Sequence, residues 1–419
     1  MVISTIENIH RAEHFPGGAE ADEMAQYARF LCSSLPRSDQ RRWAEVFIRG
    51  LVSVPGRKTI TKISDQVAGG GAEQCLQQFV SQSTWRWDAV RRDLALWLTE
   101  ELAPRAWVIK EAVFPKNGNN SVGVGKQFAC PAGRVLNCQL AVAVFLAGQG
   151  WSCPVNWRLV LPASWDEDKE RRKKAGLPDH EGSAPRWQLM LDAIDEMAVD
   201  WGLHSLPVFA DMSQQCELDP LLAGLDERHM QYVIRVGPNQ TAGTVRMMGC
   251  QRRALSYAQF ITESLSRNNT TLNMWCMPAS GPGRIQLIAT RLPAELSPVS
   301  EPGRLSVVLP GRPRATRYVV AEWSPTRKSP RAVWVTSANP RQLSELLADI
   351  ALDRQVSADL DELYDGLGLR HFEGRSFMGW HHHVTLVSVA HASHRVRRRQ
   401  AGGMLGQNRY GESRPTACG

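Results

Sequence analysis

Residues 206–236 read LPVFADMSQQCELDPLLAGLDERHMQYVIRV. The apolar run Leu206–Asp211 predicts a strand that ends on a carboxylate. Tyr232–Val236 predicts another, and Cys216–Leu225 between them predicts a helix. Short apolar runs without alternation fit strands covered on both faces. This strand–helix–strand unit is the half of the pattern on which the fold depends.

The other half lies upstream. Ala106–Ile109 is a short apolar run followed by Phe114-Pro115-Lys116, and Ser121–Phe128 (SVGVGKQF) alternates like a strand. Asn137–Leu146 (NCQLAVAVFL) is a nearly continuous buried strand, and Arg158–Pro162 is a further one. The charged run Asp166–Lys174 predicts an exposed loop or short helix, and Trp187–Trp201 a helix. Consecutive strands followed by strand–helix–strand is the order of a ribonuclease-H-like core. The fold class expected is therefore α/β (α+β), with a mixed sheet.

Five regions follow from the changes of pattern. Residues 1–105 read as a helical domain: Met24, Tyr27, Ala28, Leu31 and Leu35 recur at steps of three and four, as do Trp43, Phe47, Ile48 and Leu51. Val54-Pro55-Gly56 breaks the second helix. Residues 106–236 form the first part of the core. Residues 237–340, rich in Gly, Pro, Thr and Arg, predict an inserted β-rich subdomain with strands at Ile285–Ile288, Leu305–Leu309, Tyr318–Trp323 and Ala332–Thr336. Residues 341–393 supply a long leucine-marked helix and a last helix from Trp380 to Ala392. Residues 394–419 read as a basic, disordered tail.

The 419 residues are 43% hydrophobic and 22% charged, which excludes a wholly disordered chain, a collagen or a coiled-coil rod. No apolar run approaches the roughly 20 residues of a membrane span, and the first residues lack the layout of a signal peptide. A cytoplasmic, nucleoid-associated protein with no membrane partner is expected. The net charge of +7 permits an acidic polymer as partner. None of the nine cysteines forms a C-x-x-C pair, so a zinc ribbon is not expected.

Phe114-Pro115-Lys116, Ser121–Val124, Gln127-Phe128, Gly133, Asn137–Gln139, Trp165-Asp166, and Gly374–Ser376 with Gly379–His383 together resemble one branch of the bacterial insertion-sequence DDE-superfamily transposases. Gly50-Leu51, Arg57-Lys58, Leu76–Phe79 and Trp85 extend the resemblance, which spans roughly residues 25–393. It implies a ribonuclease-H-like core interrupted by a β-rich insertion. The implied chemistry is metal-dependent DNA strand cleavage and transfer. Two Mg²⁺ or Mn²⁺ ions about 3.5–4 Å apart would be held by three converging acids. It also implies a double-stranded DNA partner, such as terminal inverted repeats, and self-association to a dimer.

Carried over residue by residue, the second acid falls on Asp211, the candidate catalytic and metal-binding residue. The first falls on Lys110, a cation where cations should bind. Glu111 is adjacent, but neighbouring strand residues face opposite ways, so it could substitute only through a register change or bulge. The third falls on Ser357, with the upstream Arg position on Asp353 and the downstream Lys position on Tyr364. Asp361, one turn on, or Glu373 could substitute. The resemblance thus implies a transposase-family protein whose acidic triad is degenerate and whose cleavage is impaired or lost. The alternative is an inactive, domesticated transposase acting as a DNA-binding regulator or interaction scaffold.

The candidate DNA-binding residues are Arg57, Lys58, Lys62, Arg91, Arg92, Lys116 and Lys126; a merely solvated helix face is the plainer reading of the N-terminal ones. His381-His382-His383 point about 100° apart on a helix, which favours packing over metal binding. His391 and His394 are better spaced for a metal but have no evident partner ligand. Gly69-Gly70-Gly71 is a loop with no phosphate-binding lysine after it. Cys138, inside a buried strand, is not expected to be a nucleophile.

Overall fold

The computed structural model describes residues 26–215, 217–246, 252–276, 285–293, 316–323, 329–339 and 343–410. A helical turn at 26–31 leads into α1 (Ser38–Ser53), α2 (Ile60–Val67), α3 (Glu73–Ser81) and α4 (Trp87–Leu102). The Thr59 hydroxyl caps α2 by accepting from the Lys62 amide. Gly50 lets α1 and α2 approach closely, because a Cβ there would fall 2.5 Å from Ile63. Ala103 ends α4 in the left-handed region at φ 43°.

The core follows: β1 (Ala106–Pro115), β2 (Gly125–Ala129), β3 (Arg134–Gly148), β4 (Trp151–Val160), α5 (Lys169–Ala175), α6 (Arg186–Asp195), β5 (Val208–Asp211), α7 (Leu218–Glu227) and β6 (Tyr232–Val236). A π-turn at Glu196–Asp200 closes α6. Strands β1, β3 and β4 pair antiparallel, whereas β5 pairs parallel with β1 and β6 parallel with β5. The order β4-β3-β1-β5-β6 is the mixed sheet expected of a ribonuclease-H-like core.

Two strand boundaries differ from expectation. The alternating stretch Ser121–Phe128 is strand only from Gly125, because Gly123 turns the chain at φ 68° against Leu159. Strand β4 starts at Trp151, before the expected Arg158. It is buried on both faces, so its mixed composition hid its extent.

Beyond β6 come β7 (Thr241–Arg246), β8 (Arg252–Ser256), α8 (Tyr257–Ser266), β9 (Leu272–Cys276), β10 (Ile285–Leu292), β11 (Arg317–Trp323) and β12 (Ala332–Thr336). β12 pairs antiparallel with β6, and β11, β10 and β9 follow outward. Strands β9–β12 therefore lengthen the core sheet edgewise to ten strands among the described residues, while β7 and β8 pair as a separate two-stranded sheet. The expected strand Leu305–Leu309 lies outside the described residues.

The chain closes with α9 (Leu343–Asp365) and α10 (Phe377–Tyr410). Helix α10 runs on through much of the stretch read as a disordered tail, as far as Tyr410. Residues 411–419 lie outside the described residues.

The sheet is covered on both faces, which is why β1 and β3 are almost wholly apolar. On one face Phe114 meets Tyr364 of α9 and Trp380 of α10, and the Trp157 indole donates to Ser388 of α10. On the other, α6 packs against β3 and β4. The N-terminal helices α1, α3 and α4 pack on α10. No helix among the described residues is long and apolar enough to cross a membrane.

Candidate functional site

The site begins with register. β1 and β5 run parallel with Trp107 beside Val208 and Ile109 beside Ala210. The next step sets Lys110 beside Asp211, and in-register neighbours on parallel strands face the same way. The cation thus stands beside the strand-end carboxylate, at the position where the resemblance leads one to expect the first acid. Its Nζ donates to Asp353 Oδ1 of α9 at 2.7 Å, with both side chains mostly buried.

Asp211 is also compensated. Its Oδ2 lies 3.1 Å from Nη1 of Arg235, its register partner on β6, and its Oδ1 accepts from the Ser213 amide at 2.9 Å. At the third position the Ser357 hydroxyl donates back to the Asp353 carbonyl of its own helix. Asp361 is exposed, eight residues and therefore about 12 Å along α9 from Asp353. Glu373 is exposed and pairs with Arg57.

Glu111 points to the opposite face, where Arg186 of α6 meets its Oε2 at 2.8 Å and the Cys130 amide donates to its Oε1 at 2.8 Å. Burial pushes its carboxyl up, against the opposing pull of Arg186 and the amide. No bulge or register shift brings it round to Asp211: β1 pairs with β3 without interruption from Ala106 to Pro115. Thus Glu111 is kept from Asp211 by its strand face, Asp361 is set apart by the helical rise, and Glu373 is engaged by Arg57.

These residues do not fit a pair of hard dications. Mg²⁺ and Mn²⁺ need converging carboxylate oxygens. Here an ammonium already bonds Asp353, and a guanidinium already bonds Asp211. Among the described residues no group of three or more His, Cys, Asp or Glu is placed to hold a metal ion.

The basic candidates divide into two sets. Arg57, Lys62, Arg92 and Lys126 are exposed. Lys58 is buried, with its ammonium on the Val54 carbonyl. Lys116 is half-buried and donates to the Phe372 carbonyl at 3.0 Å. Arg91 is buried between α4, β4 and α10: it donates to Thr385 Oγ1 at 2.8 Å, to the Trp157 carbonyl at 3.0 Å and to His381 Nδ1 at 3.1 Å. Burial pushes Arg91 down to about 9, which leaves it charged at neutral pH. Lys58, Lys116 and Arg91 thus direct their charged heads to the protein's own carbonyls, hydroxyl and ring.

The histidine run is packing. His381 stacks on Trp87 at 4.5 Å, His382 on Trp85 at 3.8 Å, and His383 on Phe372 at 5.3 Å. His381 and His382 both pack against the Trp85–Trp87 segment, but their nitrogens meet different partners: Arg91 for His381, the Val80 and Trp85 carbonyls for His382, and the Gly368 carbonyl for His383. His391 is buried with Nε2 2.9 Å from the Ser152 carbonyl. Burial raises the thiol of Cys138, as expected for a core cysteine.

Sequence reasoning missed three partners: Asp353 for Lys110, Arg235 for Asp211 and Arg186 for Glu111. One signal was present for the first. Lys110 and Asp353 both depart in charge from the pattern the resemblance implies, and in opposite directions.

A family model described as DDE superfamily endonuclease matches residues 30–246, just over half of the chain. The match takes in β1 and β5 with Lys110 and Asp211, and ends before α9. No curated protein matches the chain.

Proposed function

The chain belongs to the DDE superfamily of endonucleases, and from that premise we propose that it binds double-stranded DNA while its metal-dependent cleavage and strand transfer are lost. The one observation that carries this reading is the Lys110–Asp353 ion pair beside Asp211. Endonucleases of this superfamily generally use divalent metals, which bridge the attacking and leaving oxygens. In this chain the first metal-binding position holds a cation, and the third holds a hydroxyl turned back on its helix.

What remains is a transposase-like scaffold with a positive surface. The exposed Arg57, Lys62 and Arg92 support residues 1–105 as the DNA-contacting part. Lys126 adds a contact from the 106–236 core. Residues 237–340 lengthen the sheet, and 341–393 complete the core with α9 and α10. Terminal inverted repeats of an insertion sequence are the expected sites, bound by a dimer at the nucleoid. A DNA-binding regulator suits these features better than a pure interaction scaffold, because phosphate neutralisation needs exposed cations.

The test is a nicking assay on terminal-repeat DNA with Mg²⁺ or Mn²⁺, run beside Asp211→Ala, with a salt-titrated binding curve from the same samples. Tight, salt-sensitive binding without nicking is the expected result. Metal-dependent nicking abolished by Asp211→Ala would overturn it.

A further inference from the structure

The replaced acids leave a charged row running across one face of the sheet. Lys110 and Asp211 lie side by side on β1 and β5, and Arg235 is opposite Asp211 on β6. Arg235 pairs with Trp334 on β12, and Trp334 with Val320 on β11. Glu322, two residues on from Val320, shares that face by the alternation of a strand. Helix α9 lies over the row. Asp353 reaches Lys110 at one end, and its neighbour Arg354 comes within 3.9 Å of Glu322 at the other, where Arg331 also meets Glu322 at 3.3 Å.

The layering of charge is the informative part. The side chains of Arg235, Arg331 and Arg354 are 45%, 46% and 41% exposed. Those of Asp211, Asp353 and Glu322 are 33%, 23% and 6% exposed. Carboxylates lie beneath and guanidiniums lie above them. Among the described residues of this row, the guanidiniums of Arg235, Arg331 and Arg354 form the outer layer. A metal-free acid triad would repel a phosphate, whereas the arginines of this outer layer present the planar fork that suits phosphate oxygens.

The geometry points to a direct anion seat at this place: the DNA backbone phosphate rests on Arg235, with Arg354 and Arg331 farther along the same face at Glu322, and with no metal between protein and DNA. The inference rests on the DNA-binding reading and deepens it by locating the contact. Lys110 is the internal counter-ion that keeps Asp353 and Asp211 from turning the seat negative. Asp211 now opposes the phosphate where an ancestral acid would have recruited it through metal.

The experiment uses the full chain and a short fluorescein-labelled mixed-sequence DNA duplex, with Kd read by anisotropy across a salt series in Mg²⁺ and in EDTA. Arg235→Ala is expected to weaken binding about tenfold and to lower the slope of log Kd against log salt by about one. Arg235→Lys is expected to keep the slope. Asp211→Asn is expected to tighten binding, in Mg²⁺ and EDTA alike, because it removes a negative charge from the seat. Thermal melts of each variant confirm that it is folded.

A folded Arg235→Ala protein that binds like wild type would overturn the seat while leaving DNA binding elsewhere intact. Asp211→Asn weakening binding only in Mg²⁺ would overturn it in favour of a metal bridge. A wild-type chain with no affinity at low salt would defeat the DNA-binding reading itself, and the seat with it.

Discussion

Two polar regions of this molecule respond to substitution in opposite ways. One is the seam where α10 meets α4 and β4, built from Arg91, His381, His382 and Thr385. The other is the charged row beneath α9, built on Lys110, Asp211, Arg235 and Asp353. The seam residues are buried, and their polar groups meet fixed carbonyls and ring faces. Removing one strands the others away from water, at the full desolvation cost. The row is part-exposed and its members are ion pairs. There a charge exchanged for its opposite can be compensated by exchanging its partner, as the Lys110–Asp353 pair would allow. The fold is therefore insulated from its own site.

Acidification should break the seam first. Burial drives the His382 and His383 rings down to about 4, outweighing the carbonyls that favour their protonation. A neutral His382 can donate to only one of its two carbonyls, Val80 and Trp85, both 2.9 Å away. Unfolded, these rings titrate near 6.5, so between 6.5 and 4 the unfolded chain binds more protons. Stability is full above 6.5 and falls as pH drops through that window. The loss is on the order of 3 kcal/mol per ring by pH 4. Urea midpoints measured from pH 7.5 to 4 should show it, and His382→Gln should flatten the curve.

Arg91→Ala should cost about 3 kcal/mol or more at neutral pH, because it leaves the Trp157 carbonyl, Thr385 and His381 short of a donor inside the core. Chemical denaturation reads this directly. A loss below about 1 kcal/mol would mean that the seam tolerates exchange as the row does.

Lys110→Asp should cost less, about 1–2 kcal/mol, by setting carboxylates side by side. It should also create what the wild type lacks. Mn²⁺ is expected to raise the Tm of the variant and leave that of the wild type unchanged. Equal stabilisation of both would break the distinction drawn here. Arg57→Ala, which removes an exposed pair with Glu373, should change stability by about 0.5 kcal/mol or less. Its effect belongs to the salt dependence of DNA binding.

The strands at 208–211, 232–236 and 332–336 were legible because each is a short apolar run with clear ends. The start of β2 was misjudged because alternation continued through a glycine turn, and periodicity does not register φ. The tail was misjudged because an arginine- and glycine-rich composition resembles disorder, whereas α10 carries straight on from a buried helix. Within the site, the resemblance drew attention to Lys110 and Ser357. The pairing of Lys110 with Asp353 could not be read there, since it joins residues 243 apart.

The sequence by itself determined the element order and the family, because these depend on local pattern and on residue identity. Only the tertiary structure decided that the inserted strands extend the core sheet, that Arg91 is core, and that Glu111 faces away from Asp211. It also decided that Asp211, Asp353 and Glu111 each already have a cation. Register and layer packing fix those outcomes, and both arise from contacts between segments distant in sequence, where burial and Coulomb energy act across the fold.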